Sequence, residues 1–347
     1  MAYAPLIENI LAYLVECQTP EGEFRSQCYL PGAEEPQWYY SGPSPFLTAN
    51  IAWCLHCVDH PQAQKLLLRA LDFLDSRQER FGLWRYWEHH SPIMEYNVPC
   101  DIDDTCLVSW LLAKYGRKVP DNRDLIQRNF RPDGNIDTWF LPRWRNLARW
   151  RAWWYLLGEL WTTRAIFLPN RKIPEPEPIS RTRDAEAAVE CHALLYLGQN
   201  ATTQPTVSKL LREAAEARFQ LQYYDRPHFV YYHLSRLIPE GFSEFQAVKP
   251  AFVTYVDSVL NANVRGGEDH LQWVMCALTM GNFGWWDDPR TLALLTGLAE
   301  DPMLKHGWRA YKYWTSKQRS WWAGSPELTA ALYLEGFELL RRREAAT

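Results

Sequence analysis

Tyr39-Tyr40-Ser41-Gly42-Pro43-Ser44-Pro45-Phe46-Leu47-Thr48-Ala49, near the start of the chain, matches Trp321-Trp322-Ala323-Gly324-Ser325-Pro326-Glu327-Leu328-Thr329-Ala330, near its end. Both run from an aromatic pair through a glycine turn and Ser-Pro into Thr-Ala, the first copy carrying one extra residue. Proline suits the first helical turn, whose N–H groups lack partners anyway, and serine suits the cap before it. Both stretches therefore predict a turn feeding a helix, and a self-match across such a distance signals a repeated unit. Glycine-containing turns followed by helices rich in small residues recur near 82–116, 134–198, 223–237 and 266–280, making about six units in all. Ala187, Ala188, Ala193, Ala330 and Ala331 permit the close helix contacts of an inner ring, and closing the ring covers both ends that an open solenoid must cap. The expectation is an all-α chain forming one domain over 1–347, a single (α/α)6 barrel with inner and outer helices.

Helical spacing supports this from end to end, while alternating β-branched runs are missing. Ile7, Leu11, Leu14 and Val15 form one stripe, and Leu66, Leu67, Ala70, Leu71 and Leu74 another. The Pro-rich stretch 170–178 reads as a long surface loop inside a repeat, over the barrel mouth, rather than as a domain linker.

Composition narrows the function. Hydrophobic residues at 47% and charged residues at 22% of 347 describe a chain that buries a large core. A net charge of −4 argues against a nucleic-acid partner and against a polybasic membrane anchor. The most apolar stretch, 150–168, is interrupted by Arg151, Glu159 and Arg164, so it is not a spanning helix. The N-terminus lacks a secretory pattern, which predicts a cytoplasmic protein whose eight cysteines are thiols. Cys54 and Cys57, near His56 and His60, read as core thiols because no second pair stands at zinc-site spacing. Tryptophan is the unusual entry in the composition: 18 residues, as many as tyrosine, suggest that aromatic faces serve more than volume.

The chemistry centres on Pro99-Cys100-Asp101-Ile102-Asp103-Asp104-Thr105-Cys106-Leu107, three carboxylates at the start of an apolar helix. An acidic N-cap accounts for one or two of them. Three buried so closely cannot all ionise cheaply, so at least one should keep its proton near neutral pH. A neutral carboxylic acid facing a dry pocket can protonate a substrate with no lone pair, such as an alkene.

DIDDT resembles the DxDD motif of the class II terpene cyclases, the proton-initiated group that includes squalene-hopene cyclases. The resemblance implies that Asp103 is the general acid, with Asp101 and Asp104 holding and resetting its proton network. Far away in sequence, Ala188-Val189-Glu190-Cys191-His192-Ala193-Leu194-Leu195 resembles that family's next inner helix, which implies that His192 orients Asp103. The chain departs from squalene-hopene cyclases in having no intact QW motif and no room for a second barrel. It also has no DDxxD-type motif, Asp287-Asp288-Pro289 lacking a spaced partner, which argues against class I chemistry. It is most similar to the single-domain class II cyclases that make meroterpenoids. That implies a polyprenylated, farnesyl- or geranylgeranyl-bearing, hydroxy- or dihydroxybenzoate as the small-molecule substrate, with no cofactor and no metal.

Phe46, Tyr86, Trp87, Trp139, Trp285, Trp314 and Trp322, in turns leading to inner helices, are the expected pocket lining. Arg85, Arg143, Arg236 and Arg309 are the cations available to an acidic head group. Other barrels compete with this reading. A protein prenyltransferase β-subunit-like barrel would need an Asp, Cys, His zinc set, for which Cys106 and His192 are present without a compelling third ligand. A carbohydrate enzyme would place its two acids on separate elements, not within one turn. A non-catalytic lipid-binding module would need no acid at all. Oligomeric state and peripheral membrane contact at the barrel mouth stay open at this point.

Overall fold

The computed structural model describes residues 3–31, 37–87, 97–168, 178, 180–261, 270–300, 304, 307–316 and 321–346. Six helices are buried on nearly every face: α2 (Pro45–His56), α4 (Ile102–Lys114), α7 (Ala187–Leu197), α9 (Pro227–Leu237), α11 (His270–Asn282) and α13 (Pro326–Ala346). Each packs on the next in that order and α13 packs back on α2, closing the ring. A helix apolar all round has no solvent face to keep and belongs inside.

The outer helices carry the complementary pattern. In α3 (Pro61–Ser76) Leu66, Leu67, Ala70, Leu71 and Leu74 are buried on one face against α2. α1 (Ala4–Cys17) buries Ile7, Ile10, Leu11 and Leu14 and packs on α13. Val15, expected in that stripe, is exposed, and Ile10 completes the face instead. α5 (Arg123–Gln127), α6 (Trp150–Thr163), α8 (Gln204–Glu216), α10 (Lys249–Asn261) and α12 (Pro289–Ala299) are further α-helices among the described residues. Among the described residues, no helix is long and apolar enough to cross a membrane.

The self-matching segments differ from expectation in one respect. Tyr39-Tyr40 and Trp322, read as the approach to a turn, lie in short strands. β1 (Gln27–Tyr29), β2 (Trp38–Tyr40), β3 (Trp314–Thr315) and β4 (Trp322–Gly324) form an antiparallel sheet in the order β2-β1-β4-β3. The sheet joins the two ends of the chain just ahead of α2 and α13, which are ring neighbours. Gly324 allows it, since a Cβ there would stand 2.0 Å from the Tyr311 carbonyl oxygen. The cap reading holds in both copies: Ser44 accepts from the Leu47 N–H (3.2 Å) and Ser325 from the Leu328 N–H (2.9 Å), each followed by proline. The stretch 170–178 read as a loop lies outside the described residues, apart from Pro178.

Candidate active site

The loops that enter the inner helices meet at one end of the ring and line a partly open, largely aromatic cavity. α2 contributes Phe46, the loop before α4 Tyr86 and Trp87, and the start of α4 Asp101, Asp103 and Asp104. Trp139, Tyr223, Tyr224, Trp314 and Trp321 complete the aromatic wall. The rings support one another: Phe46 lies 4.9 Å from Trp314 and 5.8 Å from Tyr86, and Trp87 lies 5.1 Å from Trp321.

The three aspartates are placed differently although they share one helical turn. Asp101 is the N-cap of α4, accepting from the Asp104 N–H at 2.8 Å. Its extended backbone is pinned to neighbouring loops by Asp101 N–H donating to the Trp84 carbonyl and Ile102 N–H to the Thr138 carbonyl. Asp103 points at the cavity and is bonded through both oxygens. His192 Nδ1, from α7, lies 2.5 Å from Oδ1, and the Tyr224 hydroxyl donates to Oδ2 at 2.8 Å. Asp104 also borders the cavity and is almost wholly buried. Burial first, then the charge of Asp103, pushes the Asp101 carboxyl well above the ordinary range. Burial, then Asp101 and Asp103, does the same to Asp104. The turn therefore holds protons that exposed carboxylates would have released.

From His192 a series of ring contacts leads away from Asp103. The His233 ring meets His192 edge-on at 4.5 Å and stacks on Trp53 at 5.9 Å. Burial, the neighbouring His192 and Arg236 hold His233 well below the usual imidazole range, so it is neutral. Neither His192 Nε2 nor either His233 nitrogen has a hydrogen-bond partner among the described residues. Arg236 sits over Trp53 at 4.0 Å and closes the series with Glu335, 2.5 Å away.

The type II terpene cyclase MstE from Scytonema shares 15% identity with this chain, over 98% of each chain, at a TM-score of 0.64. A protein from Actinoplanes shares 17% identity over 99% of each chain at 0.63. ent-Copalyl diphosphate synthase from Streptomyces platensis matches 85% of this chain and 50% of its own, at 15% identity and 0.51. The chain has the α/α-barrel fold of the type II terpene cyclases. No protein-family model matches it, and no curated protein matches it in sequence. MstE variants have been solved with geranylgeranyl dihydroxybenzoate, described as substrate, and with merosterolic acid A, described as product.

Within this fold, Phe46, Tyr86, Trp87, Trp139 and Trp314 of the expected lining lie at the cavity with the aspartates. Two residues do not. Trp285 follows α11 rather than preceding an inner helix, so it sits at the far end of the ring, packed on Phe283 with Lys249 over its ring. Trp322 is in β4, where successive side chains alternate faces, so it packs on Tyr29 and under Lys312 while Trp321 takes the cavity side. Three of the four candidate arginines are engaged by acids of the chain itself: Arg85 by Glu79 and Glu159, Arg143 by Asp137, Arg236 by Glu335. Arg309 is exposed and off the cavity wall.

Sequence reading missed Tyr224, the second partner of Asp103. Its signal was present, since Tyr223-Tyr224 is another aromatic pair ahead of a proline-started helix, Pro227 opening α9. Glu186 holds that pair in place, its Oε2 accepting from the N–H groups of Gln222 and Tyr223 at 2.5 and 2.9 Å. Among the described residues no three His, Cys, Asp or Glu side chains group as a metal site would require.

Proposed function

We propose that the protein is a class II terpene cyclase, folding a polyprenylated hydroxy- or dihydroxybenzoate into its aromatic cavity and closing fused rings by proton-initiated cyclisation. The observation that carries this reading is the setting of Asp103: a carboxyl at the wall of an aromatic cavity with one buried partner on each oxygen. In the first step the Asp103 O–H bond breaks and a C–H bond forms at the terminal alkene. The carboxylate left behind is stabilised by the Tyr224 hydroxyl and the His192 ring, hydrogen bonds that strengthen when the acceptor carries charge. Asp101 and Asp104, both inclined to hold protons, are the reservoir that recharges Asp103.

Each ring closure moves the positive charge to a new tertiary carbon. The faces of Phe46, Tyr86, Trp87, Trp139, Trp314 and Trp321 stabilise such a cation by about 0.5–2 kcal/mol each and offer no lone pair to trap it. Excluding water from this lining until the last step prevents early quenching. Loss of a proton from carbon to a water admitted at the last step then ends the cascade, so substrate and product are isomers.

The test is incubation of the protein, in EDTA, with farnesyl- and geranylgeranyl-substituted hydroxybenzoates, following isomeric products by mass spectrometry beside Asp103→Asn. The expected result is cyclised product of unchanged mass, reduced about 10³-fold or more in the variant with its thermal midpoint preserved. Equal conversion by the variant would overturn Asp103 as the acid. Conversion that EDTA abolishes would favour the zinc prenyltransferase-like reading, and tight binding without any product the lipid-binding module.

A further inference from the structure

α6 and the 3₁₀ turns flanking it are the one place among the described residues where several large aromatic side chains face outward together. Trp144 is 85% exposed, Trp150 60%, Trp154 60% and Trp161 69%, with Leu147 and Leu168 about half exposed beside them. Their spacing is helical: Trp150, Trp154 and Trp161 repeat at i, i+4 and i+11 on one face. The opposite face buries Ala152, Leu156, Glu159 and Thr163 in the protein. Exposed tryptophans scattered singly need no explanation, but a stripe of them marks an interaction surface.

The occupant is indicated by charge and by position. From 143 to 168 the sequence holds five arginines and a single acidic residue, Glu159, in a chain whose net charge is −4. Arg143 is engaged by Asp137 and Arg149 by Asp121 and Asp124, so the charge beside the tryptophans is carried by Arg151 and Arg164. Glu159 is buried and bonded to Arg85, so α6 itself turns no carboxylate outward. Arg151 and Arg164 lie over the Trp150 and Trp161 rings at 5.4 and 4.2 Å, keeping their charge at the level of the indoles. Tryptophan with arginine on one helical face, without acid, matches the headgroup boundary of an anionic bilayer, where indoles insert shallowly and guanidinium groups meet phosphate. The segment also leads to the cavity: Ile166 lines it, and Ile166 packs with Trp139 and Leu141. The Arg85–Glu159 pair ties α6 to the residues just before Tyr86 and Trp87.

We infer that the Trp150, Trp154, Trp161 face of α6 docks on an anionic phospholipid surface. This places the cavity beside a bilayer in which a lipophilic substrate dissolves. It deepens the cyclase reading only in that last respect, since docking itself requires no catalysis.

The test is co-sedimentation of the substrate-free protein with vesicles of phosphatidylcholine alone and of phosphatidylcholine containing phosphatidylglycerol. The expected result is binding that rises at least about fivefold with the anionic lipid and weakens with salt. Trp150→Ser/Trp154→Ser/Trp161→Ser should lower it at least about tenfold. Arg151→Gln/Arg164→Gln should lose the anionic increment while keeping the weaker neutral binding. Circular dichroism and the thermal midpoint check that each variant folds. No vesicle binding by the parent protein, or binding unchanged in the tryptophan variant, overturns the inference. A dimer in light scattering that the tryptophan variant dissolves, with no vesicle binding, would assign the face to a second copy of the chain instead. Activity on detergent-dispersed substrate reads the cyclase proposal separately from either outcome.

Discussion

The two ends of the inner ring use the same kinds of residue to opposite effect. At the cavity end, carboxyls crowd one helical turn, where burial and the charges of their neighbours push Asp101 and Asp104 toward their protonated forms. At the closed end, Glu335 is matched by Arg236 at 2.5 Å and by the Tyr232 hydroxyl at 3.0 Å, with Cys57 Sγ completing the set. Both ends are buried in a ring of apolar helices. The difference lies in the partners: Glu335 meets the fixed charge of a guanidinium, whereas Asp103 meets a histidine ring and a tyrosine hydroxyl. The two ends are joined by the His192–His233–Trp53 ring contacts.

Three substitutions sharpen that contrast. Glu335→Ala should cost stability by about 3–5 kcal/mol, because it leaves the Arg236 charge buried without its partner. The thermal midpoint should fall steeply while turnover per folded molecule stays near the parent value. A midpoint within about 2 °C of the parent would mean the pair contributes little. Tyr224→Phe should act at the other end only. Losing a hydrogen bond to a forming carboxylate is worth about 1.5–3 kcal/mol, so turnover should drop roughly tenfold to a hundredfold with the fold intact. Turnover unchanged in Tyr224→Phe would remove that hydroxyl from the mechanism.

The smallest effect is a pH slope. Asp104 is raised above its unfolded value of 3.8, so the folded chain holds a proton that the unfolded chain releases. The stability this confers is complete below about pH 4 and is lost as pH rises through the folded value. Asp104→Asn should therefore flatten the decline of thermal midpoint between about pH 5 and 8, without abolishing it, because Asp101 and Glu186 are raised in the same direction. A slope identical to the parent's would show that Asp104 is ionised throughout.

The ring was legible in the sequence because its signals are local: Ser-Pro helix starts, glycine turns, small residues on inner helices and one apolar face on outer ones. The sheet was not, since strands of two or three residues are too short to show alternation, and Trp314 to Gly324 reads as loop until Gln27 to Tyr40 is brought beside it. The Asp103–His192 contact was legible as two motifs, 89 residues apart. Tyr224 was not singled out, because a tyrosine ahead of a helix looks the same whether its hydroxyl meets water or Asp103. Trp321 and Trp322 show the same limit at finer grain. Which of two adjacent indoles faces a cavity depends on strand register, and that is set by pairing with a segment about three hundred residues away.

The central claim is that a proton delivered from the protein starts the reaction, and running it in D₂O tests this most directly. A carboxylic acid in exchange with solvent would place one deuterium on carbon at the initiating alkene, giving a product about one mass unit heavier that keeps its label after transfer to H₂O. Cyclised product without a carbon-bound deuterium would contradict initiation by Asp103 and by any other solvent-exchangeable acid in the cavity.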